Sequence, residues 1–206
     1  MYALKSLRTG RAWNAAVMFI GSCVAALAAF ALSVDGLILA RTPTTRLGCD
    51  INGRLSCSSV SRSWQANLVH LWGTDVPNAL FGLMAFGVFI GFTAALMFGY
   101  RPARFVRALF AVGIIFCVLF AGWLLLASVV SIKVLCPWCL TMDAGVCLMV
   151  IGFVRWLSAC QHDGGPEGDC VHGNGMGLSA SPVSVVLEMI PFLLIAMLAV
   201  FTFFMG

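Results

Sequence analysis

Charge is what this sequence has least of. It holds 12 basic and 8 acidic residues among 206, a tenth of the chain, where an ordinary soluble chain carries about 25%. A water-soluble globule is thereby excluded, because its surface has to be covered with polar groups. With 61% apolar or aromatic residues and a mean hydropathy of +1.01, the surrounding solvent is largely lipid. The net charge of +4 is scattered over short segments, with no basic face and no alternation of aromatic and basic side chains. That excludes nucleic-acid binding. Internal repeats and low-complexity tracts are also missing. What the chain does hold is long apolar runs and nine cysteines.

A bilayer core about 30 Å thick takes roughly 20 apolar residues of helix, and five stretches between charged residues qualify. They are Ala12 to Val34, Pro77 to Phe98, the run between Arg107 and Lys133, Cys136 to near Arg155 with one internal charge at Asp143, and Val183 to Met205 with Glu188 near its start. The first is longer than the 7 to 15 apolar residues of a signal peptide and reads as a retained helix. Lys5, Arg8 and Arg11 crowd the N-terminus, and Arg101, Arg104 and Arg107 crowd the turn between spans two and three. Both groups are expected on the cytoplasmic side of a bacterial inner membrane. The 35–76 segment then faces outward, and residues 164–177 form a Gly-rich cytoplasmic stretch. The expected divisions are a four-helix transmembrane catalytic domain over 1–158, a linker over 159–182 and a fifth transmembrane helix over 183–206.

Topology sorts the cysteines whichever way the chain inserts. Cys49 and Cys57 lie between spans one and two, and Cys136 and Cys139 lie at the start of span four, two crossings later. All four therefore share one side of the membrane. Under the orientation above it is the oxidising side, where thiols form and exchange disulfides. Cys136-Pro137-Trp138-Cys139 is a C-x-x-C pair placed where a helix begins. Pro is favoured at that position, and the helix N-terminus stabilises a thiolate, which makes both a nucleophile and a good leaving group. The alternatives are a static disulfide or structural zinc, with Cys49 and Cys57 as further ligands. An eight-residue separation is not a usual zinc spacing, so redox chemistry is favoured and no metal is assigned. Past Cys57, the residues Val60, Trp64, Leu68, Leu71 and Trp72 recur at helical intervals. With Ser58 or Ser59 as a cap, they suggest a short amphipathic helix on the membrane surface, roofing the bundle. The fold class expected is all-α and integral to the membrane: a four-helix transmembrane bundle, a fifth transmembrane helix, and this surface helix in the first outer loop.

In this arrangement the chain resembles the vitamin K epoxide reductase family over roughly residues 12 to 155. The resemblance is carried by Cys49-Asp50-Ile51, then Leu55-Ser56-Cys57-Ser58, then Val76-Pro77-Asn78-Ala79-Leu80-Phe81-Gly82, then Cys136-Pro137-Trp138-Cys139. It implies a bundle that holds a quinone, ubiquinone or menaquinone, near its outer end. It assigns Cys139 to the quinone, Cys136 to exchange with the loop, Cys57 to attack on Cys136, and Cys49 to a separate thioredoxin-fold (DsbA-like) extracytoplasmic partner. Asn78, in the first turn of span two, would hydrogen-bond a quinone oxygen, or else serve as a capping or interhelical amide.

Two positions depart from the animal members. Asp143 stands one turn beyond Cys139, where they have a tyrosine, and Ser61 stands where they have an aromatic. A carboxylate inside a span is expensive, so Asp143 is expected to deliver a proton to the quinone or to make a polar interhelical contact. The function that follows is a membrane thiol:quinone oxidoreductase that reoxidises its partner. The alternatives are reduction of vitamin K epoxide by the same residues, and a non-enzymatic metal-binding or scaffold protein using Cys160, His162, Cys170 and His172. Gly87-x-x-x-Gly91 is read as close helix packing, and Cys23 and Cys117 as small apolar side chains.

Overall fold

The computed structural model describes residues 10–71 and 74–162. Helix α1 (Gly10–Arg41) has 32 residues and so rises about 48 Å at 1.5 Å per residue, well beyond the hydrocarbon core. The span expected to stop at Val34 therefore continues as helix through Asp35 to Arg41. A charge near a membrane interface does not end a helix whose backbone bonds are already made. One stripe of α1 is small and fully buried, with Ala15, Ala25, Ala28 and Ala29 at 0% exposure. Small residues let backbones approach closely, and α1 lies along two other spans as the centre of the bundle.

The loop between the first two spans follows, with the short helix α2 (Cys57–Ser61), a 3₁₀ turn over Trp64–Ala66, and an antiparallel ribbon of β1 (Val69–Leu71) and β2 (Thr74–Val76). Val69 pairs with Val76. Helix α3 (Asn78–Met97) ends in a Schellman motif. The Gly99 N–H donates to the Leu96 carbonyl and the Tyr100 N–H to that of Ala95, with Gly99 at φ +87°, a conformation that needs glycine. After the arginine-bearing turn come α4 (Arg104–Ala127) and a π-helical turn over Ser128–Ile132, closed by Lys133 in the left-handed region at φ 58°. The last described element is α5 (Pro137–His162).

Among the described residues, four helices are long and apolar enough to cross a membrane: Ala12–Arg41, Asn78–Met97, Arg104–Ile132 and Pro137–Leu157. With outward-facing side chains such as Val88, Leu109 and Phe116 60–70% exposed, the chain is a multi-pass membrane protein. Its main core joins Met18 and Ala25 of α1 to Phe86 and Phe89 of α3, Phe110 of α4 and Met149 of α5. A second cluster, Leu32, Leu39, Leu47, Cys57, Val60 and Cys136, sits under the loop at the end of the bundle that carries Cys49. The fifth span expected over 183–206 and the linker from 163 onward lie outside the described residues.

Two expectations are corrected. The surface helix is a turn and a half long, and its cap is Ser56, whose Oγ accepts the Ser59 N–H, not Ser58 or Ser59. The rest of the apolar series does not continue as helix, because two asparagines take its backbone groups. The Asn67 amide donates to the carbonyls of Ser61 and Ser63. Asn78 takes the Leu68 N–H and the Gln65 carbonyl. Trp64 is consequently 68% exposed while Val60 is buried. The second correction concerns close packing. A Cβ on Gly87 or Gly91 would meet nothing within 4 Å, so that pair faces away from its neighbours. The tight contact is between α1 and α5, where a Cβ on Gly145 would lie 2.7 Å from the Ala25 nitrogen and one on Gly21 would lie 2.7 Å from the Gly145 carbonyl oxygen.

Candidate functional site

Two loops are stitched together before any cysteine meets another. The Leu135 N–H donates to the Arg54 carbonyl and the Ser56 N–H to the Leu135 carbonyl, a one-residue parallel bridge between Leu55 and Leu135. This brings Cys57, two residues past Leu55, up to Cys136, the residue after Leu135. Asp50 braces the first loop. Its carboxylate accepts the Ser56 hydroxyl at 2.7 Å, the Ser58 N–H at 3.0 Å and the Leu47 N–H at 3.0 Å. Burial works against the ionised form, but these hydrogen bonds outweigh it and hold the Asp50 carboxyl well below the usual carboxylate range.

On this frame Cys49 and Cys57 are joined by a disulfide, while Cys136 and Cys139 are free thiols. The Cys57 and Cys136 sulfurs stand 3.5 Å apart, and both residues are almost completely buried. A thiol in contact with one sulfur of a disulfide is the ground-state arrangement for thiol–disulfide exchange. The Cys136 thiol is held below the ordinary cysteine range. The Cys139 thiol hydrogen-bonds it, burial opposes, the backbone N–H groups of Cys139 and Trp138 at the start of α5 assist, and the Asp35 charge works the other way. Water is kept from this junction by the apolar cluster that buries both residues.

Beneath it lies a cavity of about 320 Å³, at the small end of ligand pockets. Phe81 and Phe86 of α3 and Phe120 and Leu124 of α4 supply apolar walls, α5 contributes Cys139 and Asp143, and the loop between α1 and α3 closes it with Ser61 and Gln65. Cys136 reaches the same cavity, so the C-x-x-C pair lies between the loop disulfide and an apolar chamber. A T-shaped contact between Trp64 and Trp123, with ring centroids 6.2 Å apart, fastens the loop to α4.

Of the residues singled out from sequence, Cys49, Cys57, Cys136 and Cys139 form one continuous cluster, and Asn78 and Asp143 both line the cavity. Asn78 is already engaged: its Oδ1 accepts the Leu68 N–H at 3.1 Å and its Nδ2 donates to the Gln65 carbonyl at 2.7 Å. Its structural work is to tie the loop to the head of α3, and one Nδ2 hydrogen remains by valence. Cys160 and His162 fall in the last turn of α5, whereas Cys170 and His172 lie outside the described residues. Asp35, Cys49 and Cys57 place their ligand atoms within 4.8 Å of one another, but the two sulfurs are bonded together and offer no thiolate. Sequence reasoning missed Asp35, whose Oδ2 is 3.4 Å from the Cys49 sulfur. The available signal was a carboxylate at the end of a span, on the side of the loop cysteines. It also missed Cys117 as a cavity residue, since nothing along one apolar helix marks the face turned to a chamber.

The sequence is similar over residues 16–154 to the family model of the vitamin K epoxide reductase family. No individual curated protein matches it significantly.

Proposed function

This chain belongs to the vitamin K epoxide reductase family, whose members are quinone-linked oxidoreductases, and from that premise we propose that it is a membrane thiol:quinone oxidoreductase that reoxidises an extracytoplasmic thioredoxin-fold protein. The observation that carries this reading is the 3.5 Å contact between the Cys57 and Cys136 sulfurs, with the loop disulfide on one side of it and the cavity on the other.

The electron pair enters when a partner thiolate attacks Cys49, breaking the Cys49–Cys57 bond and leaving Cys57 as the thiolate. Cys57 then attacks Cys136 in an oxidised Cys136–Cys139 pair, and the electrons leave on Cys139. The partner's second thiolate displaces Cys49, which closes the partner's own disulfide, and the freed Cys49 attacks Cys57, restoring the loop disulfide and releasing Cys136. Each exchange moves two electrons and is reversible, so 30 mV of driving force corresponds to about 1.4 kcal/mol. The lowered Cys136 thiol favours it as the group released. A bound quinone supplies a two-electron, two-proton acceptor. The cavity fits such a ring, being walled by aromatic and aliphatic side chains, with the Cys139 thiol, Asp143 and the spare Asn78 N–H at its polar edge. Asp143, one turn below Cys139, is placed to hold a proton for the reduced ring, and Asn78 to orient a carbonyl oxygen. Ser61 in the roof leaves space that a larger side chain would fill.

The orientation that accompanies this function puts the four cysteines on the outer face of a bacterial inner membrane and the N-terminus in the cytoplasm. Purified protein given ubiquinone-1 and a reduced thioredoxin-fold protein should consume quinone, read by its ultraviolet absorbance, and turn over poorly when given vitamin K epoxide and a dithiol. An active Cys136→Ala variant, or an epoxide preferred over the quinone, would refute the proposal.

A further inference from the structure

The relay leaves one charged group at its outer end without a role. Asp35 lies on α1, half-buried in the described structure, six residues before the end of a helix that finishes at Arg41. Its Oδ2 is 3.4 Å from the Cys49 sulfur, and the apolar side chains of Leu32, Leu39 and Leu47 form the cluster at this level. A carboxylate beside such a cluster costs free energy. A disulfide sulfur has no proton to give it, so the contact becomes a hydrogen bond only when the loop is reduced and Cys49 carries a proton.

We propose that Asp35 is the proton carrier of the partner-facing cysteine, an assignment that rests on the relay described above. When Cys49 attacks Cys57 in the Cys57–Cys136 mixed disulfide, the Cys49 thiol proton passes to the Asp35 carboxylate. The Cys49–Cys57 bond forms, the Cys57–Cys136 bond breaks, and the electron pair leaves on Cys136. When a partner's second thiolate displaces Cys49 from the partner–Cys49 disulfide, the new bond joins the partner's two sulfurs. The electron pair leaves on Cys49, and the proton returns to it from Asp35. One carboxylate thus acts as base in one half of the cycle and as acid in the other.

The titratable and charged groups facing this pair are few. Asp50 acts on Asp35 electrostatically, but its own oxygens are occupied by Leu47, Ser56 and Ser58, so it is not available as the carrier. Cys57 at the head of α2 is bonded to Cys49, and Cys136 before α5 feels the Asp35 charge and is itself a reactant. Among the described residues, Asp35 is the carboxylate in contact with Cys49.

The test uses the full chain in detergent, reduced with dithiothreitol and desalted, with pulses of iodoacetamide between pH 5 and 9 and Cys49 labelling read by mass spectrometry. A carboxylate beside a thiol disfavours the thiolate, so Asp35→Asn should move the labelling midpoint of Cys49 down by about one pH unit or more. The same variant should cut dithiothreitol-driven reduction of ubiquinone-1 at least about tenfold at neutral pH, general acid–base catalysis typically contributing about 10² or more. Asp35→Glu should retain a rate close to that of the native protein. An unmoved Cys49 midpoint in Asp35→Asn overturns the proposal, and so does an Asp35→Glu variant as slow as Asp35→Asn. If the native protein passes no electrons to ubiquinone-1, the functional reading fails. The labelling midpoint, measured without quinone, then decides the Asp35 assignment, a shift supporting it and no shift overturning it.

Discussion

Three hydrogen bonds converge on the Asp50 carboxylate, and they have a pH signature. A carboxyl held below its ordinary value in the folded protein stabilises the fold fully above its unfolded value of about 3.9. That stability is lost as the pH falls through and below this value towards the folded one. The 47–61 loop should therefore stay protected at pH 5 to 8 and open below about pH 4, read as hydrogen exchange of those amides. Asp50→Ala should abolish the transition and open the loop at neutral pH, at a cost of about 1–3 kcal/mol for stranding hydrogen-bond donors. In the cavity, Asp143→Asn should lower the rate of quinone reduction with little change in KM, because a group that donates a proton acts in the transition state. Steady-state kinetics across pH would expose an unchanged rate, which would return Asp143 to the role of an interhelical contact. The Asp50 contacts were not legible from Cys49-Asp50-Ile51 alone, since their donors arrive from Ser56, Ser58 and Leu47 through loop geometry.

Helix α5 brings the C-x-x-C pair to the junction, and it is held there by backbone-close packing on α1. A Cβ on Gly152 would meet the Met18 side chain at 2.5 Å and the Asn14 carbonyl oxygen at 2.9 Å. Gly145→Val should force the two helices apart, costing about 1–3 kcal/mol and lowering the melting temperature in detergent, whereas Gly87→Val should leave it unchanged. Equal melting temperatures for the two variants would contradict the packing described. The existence of the helices followed directly from sequence, because runs of about 20 apolar residues in lipid have to satisfy their backbone groups internally. The glycines that mattered did not. Gly21, Gly145 and Gly152 stand apart in sequence, while the conspicuous Gly87-x-x-x-Gly91 spacing faces no neighbour among the described residues. The amphipathic series from Val60 to Leu71 misled for a related reason: Asn67 and Asn78 bind the backbone that a helix would have used, and side-chain capture from ten or more residues away leaves no mark on local periodicity.

For the whole molecule the decisive arrangement is two cysteine pairs from distant segments meeting under one loop at one end of the bundle. In a Cys49→Ala, Cys139→Ala double variant treated with a mild oxidant such as diamide, Cys57 and Cys136 should join in a disulfide, seen as a tryptic cross-link by mass spectrometry. Impermeant maleimide on spheroplasts should label the reduced loop cysteines from outside, and a reporter fused at Arg101 should be active only in the cytoplasm. Labelling of the two pairs from opposite faces would remove the relay altogether. The sequence by itself determined that the chain lives in lipid, how many described spans it makes, and that Cys49, Cys57, Cys136 and Cys139 share a side, because length, hydropathy and parity of crossings are properties of a linear string. Only the tertiary structure decided which sulfur touches which, that Asn78 ties down the loop, that Asp143 and Cys117 border a chamber, and that Asp35 reaches Cys49. Those facts depend on ångström distances between residues far apart in the chain, and such distances are set by helix packing and loop hydrogen bonds rather than by composition or period.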